Sequence, residues 1–143
     1  MRPDPERADA PERWLENARA DLALARVQLP PGGLYEHLCF HAQQAAEKML
    51  KALQVSHGVQ PRKTHDLLDL LGECLELEPR VDALGPGCIL LNRYSVDVRY
   101  PQPFAEPDEA EGRAAAEAAQ QLYAAILLHL PSARPGARTG VGE

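Results

Sequence analysis

The chain has 143 residues, 45% of them hydrophobic but only 5% aromatic, which suits one domain whose core is built from Leu and Ala. A net charge of −6 at pH 7 argues against broad, sequence-independent nucleic-acid binding, which normally needs a basic balance. No uninterrupted apolar run approaches the ~18 residues of a spanning helix, and no signal-like apolar segment stands near the N-terminus, so no membrane role is expected. Three cysteines, Cys39, Cys74 and Cys88, form an odd set without a CxxC, which points to reduced thiols in a cytoplasmic protein rather than to a disulfide framework or a zinc site.

In chain order, residues 1–11 carry three prolines and five charged residues and read as a flexible lead-in. A first helix is expected from Glu12, with Trp14, Ala18, Leu22, Ala25 and Leu29 at helical steps, ending at Pro30-Pro31-Gly32-Gly33. The stretch 34–54, LYEHLCFHAQQAAEKMLKALQ, holds no Gly or Pro and is rich in strong helix formers. Leu38, Ala42, Ala45, Met49 and Leu53 draw one apolar stripe along it, and Cys39, Ala46 and Leu50 widen that stripe. It predicts a central helix, covered on more than one side and antiparallel to the first.

Gly58 is placed to stop this helix, and Thr64 to cap a short third one, with Asp66 favouring its N-terminal dipole. Leu67, Leu68, Leu70, Leu71, Leu75 and Leu77 supply that helix, which should end near Glu78-Pro79. Leu84-Gly85-Pro86-Gly87 should interrupt the chain before a fourth helix over residues 88–98, stopped by Pro101. A last helix is expected from Pro107 or Asp108 to Leu130, burying Ala115, Ala118, Ala119, Leu122, Ile126 and Leu130, and residues 131–143 read as a disordered tail. The expected fold is all-α: an antiparallel up-and-down helical bundle of four long helices plus one short helix, over residues 12–130.

The block CFHAQQAAEKMLKAL, followed by THDLLDLL and by RYP before the last helix, resembles HEPN domains over residues 12–130. These are small prokaryotic helical proteins, many of them paired with a minimal nucleotidyltransferase. The resemblance implies the fold more directly than the activity. HEPN ribonucleases carry Arg, four to six residues, then His. Counted from Arg93, those positions are Val98, Arg99 and Tyr100; counted from Arg99, they are Phe104, Ala105 and Glu106. None is histidine, and valine transfers no proton. No catalytic residue is assigned on this basis. His65 and His129 are distant in sequence from Arg93, and no pattern draws them to it.

In one toxin branch of the family the motif is Arg-x4-His-x-Tyr, and the partner nucleotidyltransferase adds AMP to the tyrosine. Arg93 and Tyr100 match its ends, so the resemblance marks Tyr100 as a candidate AMP acceptor. The plainer alternative packs Tyr100 on the bundle end and pairs Arg93 with Asp97 at i, i+4. Arg93 and Arg99 are the candidate phosphate-binding pair, because guanidinium offers bidentate contacts to phosphate. Lys48 and Lys51 are candidate supporting charges, although Glu47 and Lys51 also form an i, i+4 pair.

His37 and His41 are one turn apart, a spacing that can hold a metal, but no third ligand accompanies them. No glycine-rich phosphate loop and no catalytic triad pattern occur, and no cofactor is expected. The resemblance implies a homodimer that binds a nucleotide or RNA phosphate within a nucleotidyltransferase/HEPN toxin–antitoxin-like module. A metal-independent ribonuclease with a divergent site and a non-catalytic helical adaptor are the alternatives.

Overall fold

Proline at the first helical position, where a missing N–H costs nothing, opens α1 (Pro11–Ala25), with Glu12 in its first turn. The computed structural model describes residues 10–95 and 106–130, all of them helix, turn or loop. α1 buries Leu15, Ala18, Leu22 and Ala25, a stripe one residue away from Trp14, which is only half-buried. The helix ends with Arg26 as its cap rather than at Pro30. Arg26, Val27 and Gln28 are exposed, so no packed face holds a further turn, and Leu29 falls outside the helix.

α2 (Tyr35–Ser56) is the central helix, and α1, α3, α4 and α5 all pack against it. Its buried apolar residues are Leu38, Cys39, Ala42, Ala45, Ala46, Met49, Leu50, Ala52 and Leu53, which cover more than one face. Gly58 ends it at φ 78°, a left-handed conformation that costs glycine little. The Val59 N–H reaches the Gln54 carbonyl and the Gly58 N–H the Val55 carbonyl, each at 2.9 Å. This is the Schellman pattern, and it satisfies carbonyls that the helix leaves open.

The next helix, α3 (Leu67–Leu77), is capped by Asp66, whose carboxylate accepts from the Leu68 and Asp69 N–H groups. Thr64 acts one step earlier: its hydroxyl accepts the Asp66 N–H at 3.1 Å and so orients the cap. A 3-10 turn (Pro79–Leu84) leads directly into α4 (Gly85–Asn92). The Gly85-Pro86-Gly87 segment therefore begins a helix instead of interrupting the chain, since Pro86 sits in the first turn, where it is tolerated. α4 is described only to Asn92 and the turn through Ser95; the expected extension to Val98 lies outside the described residues. So do Arg99, Tyr100, residues 1–9 and the segment after Leu130.

α5 (Glu109–Leu128) begins at Asp108, which caps it by accepting the Glu111 N–H at 2.9 Å. It buries Gly112, Ala115, Ala119, Leu122 and Ile126, with Ala118 half-buried at the margin.

Cross-contacts give the helix directions. Trp14 stacks near Lys51 while Asp21, further along α1, meets His41 and Lys48, so α1 and α2 are antiparallel. Arg19 bonds to Tyr123 and Arg26 to Gln120, which makes α5 antiparallel to α1 as well. All three thiols are buried and unbridged, and burial pushes Cys39 up to about 11 and Cys74 and Cys88 up to about 12. Protonated and dry, they are packing residues rather than nucleophiles.

Candidate functional site

Polar side chains are costly inside a Leu/Ala core, yet α2 buries Gln43, Glu47, Lys51 and Gln54. Two of these four, Gln43 and Glu47, are spent on one neighbouring loop, while Gln54 donates to Glu73 of α3. Gln43 Nε2 donates to the His65 carbonyl at 2.9 Å, and Glu47 Oε1 lies 2.9 Å from His65 Nδ1. Lys51 Nζ donates to Glu47 Oε2 at 3.0 Å, with both side chains at least 90% buried.

The same loop is tied to the end of α4. Asn92 Oδ1 accepts the Leu67 N–H at 2.8 Å, and its amide donates to Asp66 Oδ1 at 3.2 Å. Ser95, itself buried, donates to the His65 carbonyl at 3.1 Å. Residues 64–67 and 92–95 therefore face each other, joined by three hydrogen bonds. His65 and Arg93, 28 positions apart in the chain, lie on these facing segments.

Arg93 itself is exposed and caps α4, with its guanidinium carbon 5.7 Å from the centroid of the Tyr94 ring. Among the described residues no carboxylate forms an ion pair with it. The Tyr94 hydroxyl donates to the Glu111 carboxylate of α5. Burial, and then that carboxylate, push the Tyr94 phenol well above its usual range, so it remains a hydrogen-bond donor. The tyrosine thereby fixes the platform beneath Arg93 to the last helix.

The two candidate supporting lysines are engaged elsewhere. Lys48 Nζ donates to Asp21 Oδ2 of α1 at 2.6 Å. Lys51 is enclosed by Glu47 and by the Trp14 ring, 5.8 Å from its centroid. Neither offers an unpaired surface charge to an anion at Arg93. His41, one half of the possible metal pair, lies 2.8 Å from Asp21 Oδ1, between α1 and α2. Arg99 and Tyr100 fall outside the described residues, as does the Asp97 partner considered for Arg93.

His65 is the residue that the sequence did not bring to this place. Its side chain is 43% exposed while its Glu47 partner is 5% exposed. The only sequence signal was its position before Asp66, in the THD that opens α3. His129 does not converge: Glu111 and His129 stand at opposite ends of α5, roughly 27 Å apart at 1.5 Å per residue.

The HEPN domain family model matches residues 11–129 of the chain. A crystal structure of TT1696 from Thermus thermophilus superimposes with a TM-score of 0.68 at 33% identity, covering 82% of this chain and 96% of that one. ST0689, described as an archaeal HEPN homologue, gives a TM-score of 0.67 at 27% identity, covering 85% of this chain and 98% of that one. No curated protein matches. Given the family match across almost every described residue and the shared helical fold, the chain is a member of the HEPN family.

Proposed function

We propose that this HEPN protein binds a nucleotide or RNA phosphate at the C-terminal end of α4, through Arg93 together with Arg99. The observation that carries the reading is the exposed side chain of Arg93, set over the Tyr94 ring and in no ion pair with a described carboxylate. A helix C-terminus repels anions, so affinity there rests on the arginines and not on the helix dipole. Arginine compensates through paired N–H contacts to phosphate oxygens.

The protein acts as a homodimer beside a minimal nucleotidyltransferase, with Tyr100 as the candidate acceptor of AMP. Support for this comes from family membership and from the Arg93 and Tyr100 spacing. No helix among the described residues is long and apolar enough to cross a membrane.

The test is titration of wild type and Arg93→Ala/Arg99→Ala with ATP and with short RNA, at low and at moderate salt. Each lost charge-assisted contact should cost about 1.5–3 kcal/mol, and wild-type binding should weaken as salt rises. Equal affinities for the two proteins would remove the site.

A further inference from the structure

We propose that the groove between α1 and α5 docks an acidic segment of a partner protein. One apolar side chain of that segment enters the cavity in the groove, and its carboxylates meet Arg19 and Arg26. The surface is separate from Arg93, whose platform Tyr94 is tied to α5 through Glu111. The groove uses a different face of α5, the one that carries Gln120 and Tyr123. The inference therefore does not rest on phosphate binding at Arg93.

The first observation is electrostatic. Among the described residues Arg13, Arg62, Arg80 and Arg113 each pair with a carboxylate, at Glu16, Glu73, Glu78 and Glu109. Arg19 and Arg26 do not. Arg19 Nη1 donates to the Tyr123 hydroxyl and Arg26 Nη1 to Gln120 Oε1, each at 3.0 Å. These neutral acceptors orient both guanidinium groups and leave their charge uncancelled, on a chain whose net charge is −6. Further N–H donors remain on each group for a carboxylate. Seven positions make about two helical turns, so the pair stands roughly 10 Å apart along α1 on one face.

The second observation is shape. α1 and α5 pack more closely on α2 than on each other, and their seam stays open. A cavity of about 400 Å³ lies beside Arg26, within the ~300–1,000 Å³ typical of ligand pockets. Its buried lining is small or apolar: Ala25, Leu38 and Gly112. The Tyr35 ring packs on Gly112 and fixes one wall. Val27, 44% exposed, stands at the mouth.

Charge and lining together select the occupant. Glu117 also borders the cavity, and Glu109 accepts from Arg113 Nε at 3.0 Å. A continuous polyanion would meet these carboxylates. A peptide can set its own carboxylates at Arg19 and Arg26 alone, and give the apolar lining a side chain of matching polarity. Arginine beside a pocket that buries an apolar anchor is a common makeup of binding hot spots.

The experiment pans a displayed library of random peptides, about a dozen residues long, against the full chain. Binding of the enriched peptides is then measured by fluorescence anisotropy. Enrichment should select peptides with several acidic residues and one bulky apolar residue. Arg19→Gln/Arg26→Gln should bind them about tenfold or more weakly, while Arg93→Ala should bind them like wild type. Ala116→Trp, which fills the cavity, should also weaken them about tenfold or more. If that variant melts well below wild type, the arginine variant decides, because both of its positions are exposed. Added salt should weaken the wild-type complex. No enrichment, or binding that the arginine changes leave unaltered, would overturn the site. Single-stranded RNA held through Arg19 and Arg26 would assign the groove to nucleic acid and overturn the peptide reading. A wild-type dimer that Arg19→Gln/Arg26→Gln splits into single chains by light scattering would assign it to a second copy, with the same consequence. Each of these results leaves the Arg93 reading untouched.

Discussion

Lys51 shows how a single side chain can have a structural duty that its charge does not announce. Its ion pair with Glu47 is buried, with side-chain exposures of 8% and 5%. Removing one partner of a buried pair leaves the other charge uncompensated, which typically costs about 3–5 kcal/mol. Lys51→Met should fall at the low end, about 3 kcal/mol by urea unfolding, because His65 and Gln44 still contact Glu47. Glu47→Gln/Lys51→Met should lose clearly less than the two single changes added together. Glu78 offers a pH-dependent counterpart. The hydrogen bonds from the Arg80 side chain hold its carboxyl at about 2, against an ordinary 4.5. A lowered folded-state value means that the stabilisation is complete above pH 4.5 and is lost as pH falls toward 2. The stability gap between wild type and Arg80→Ala should therefore close across that window, followed by thermal unfolding.

At the scale of elements, the contact of α2 with α5 depends on a missing side chain. A Cβ on Gly112 would stand 2.8 Å from Cδ1 of Tyr35 and 3.3 Å from its Cβ. Alanine would gain about 1 kcal/mol in helix propensity at this position. Overpacking costs about 1–3 kcal/mol, and here the obstacle is the base of a ring rather than the tip of a flexible chain. Gly112→Ala should therefore lower stability, a net loss that chemical denaturation would record as a lower midpoint. A midpoint that rises would show that the helix start yields more readily than its packing implies.

Across the whole molecule, several large apolar side chains remain at the surface of the single chain. Ile89 is 63% exposed and Leu128 72%, with Leu68 and Leu90 exposed as well. Burial of such side chains would contribute about 25 cal/mol per Å² to self-association, and the buried cysteines are not placed to bridge two chains. Light scattering at micromolar concentration should give twice the 15.7 kDa of one chain, unchanged by reductant. A one-chain mass would rule out the homodimer.

The number and order of the helices and the family were legible in the sequence, while the end of α1, the start of α4 and the cap of α3 were not. Periodicity records which face of a helix leaves water, so Leu38, Ala42, Ala45, Met49 and Leu53 identified the central element without any tertiary knowledge. The segment containing Arg93 was legible for a different reason, its resemblance to a known motif. Periodicity does not record what a polar residue meets once buried. Lys51 reads as a surface charge in the sequence and becomes an enclosed partner of Glu47 only when α1 and its Trp14 cover that side of α2. Likewise, the sequence pointed to Thr64 as the cap and to Asp66 as a first-turn acid, whereas the path of the loop makes Asp66 the cap and leaves Thr64 to orient it. The meeting of His65 with the Arg93 segment was the least accessible feature. It depends on hydrogen bonds spanning 25 to 30 positions, from Asn92 to Leu67 and from Ser95 to His65. No local pattern encodes such bonds; they form only after α3 and α4 have packed and left those polar groups without water.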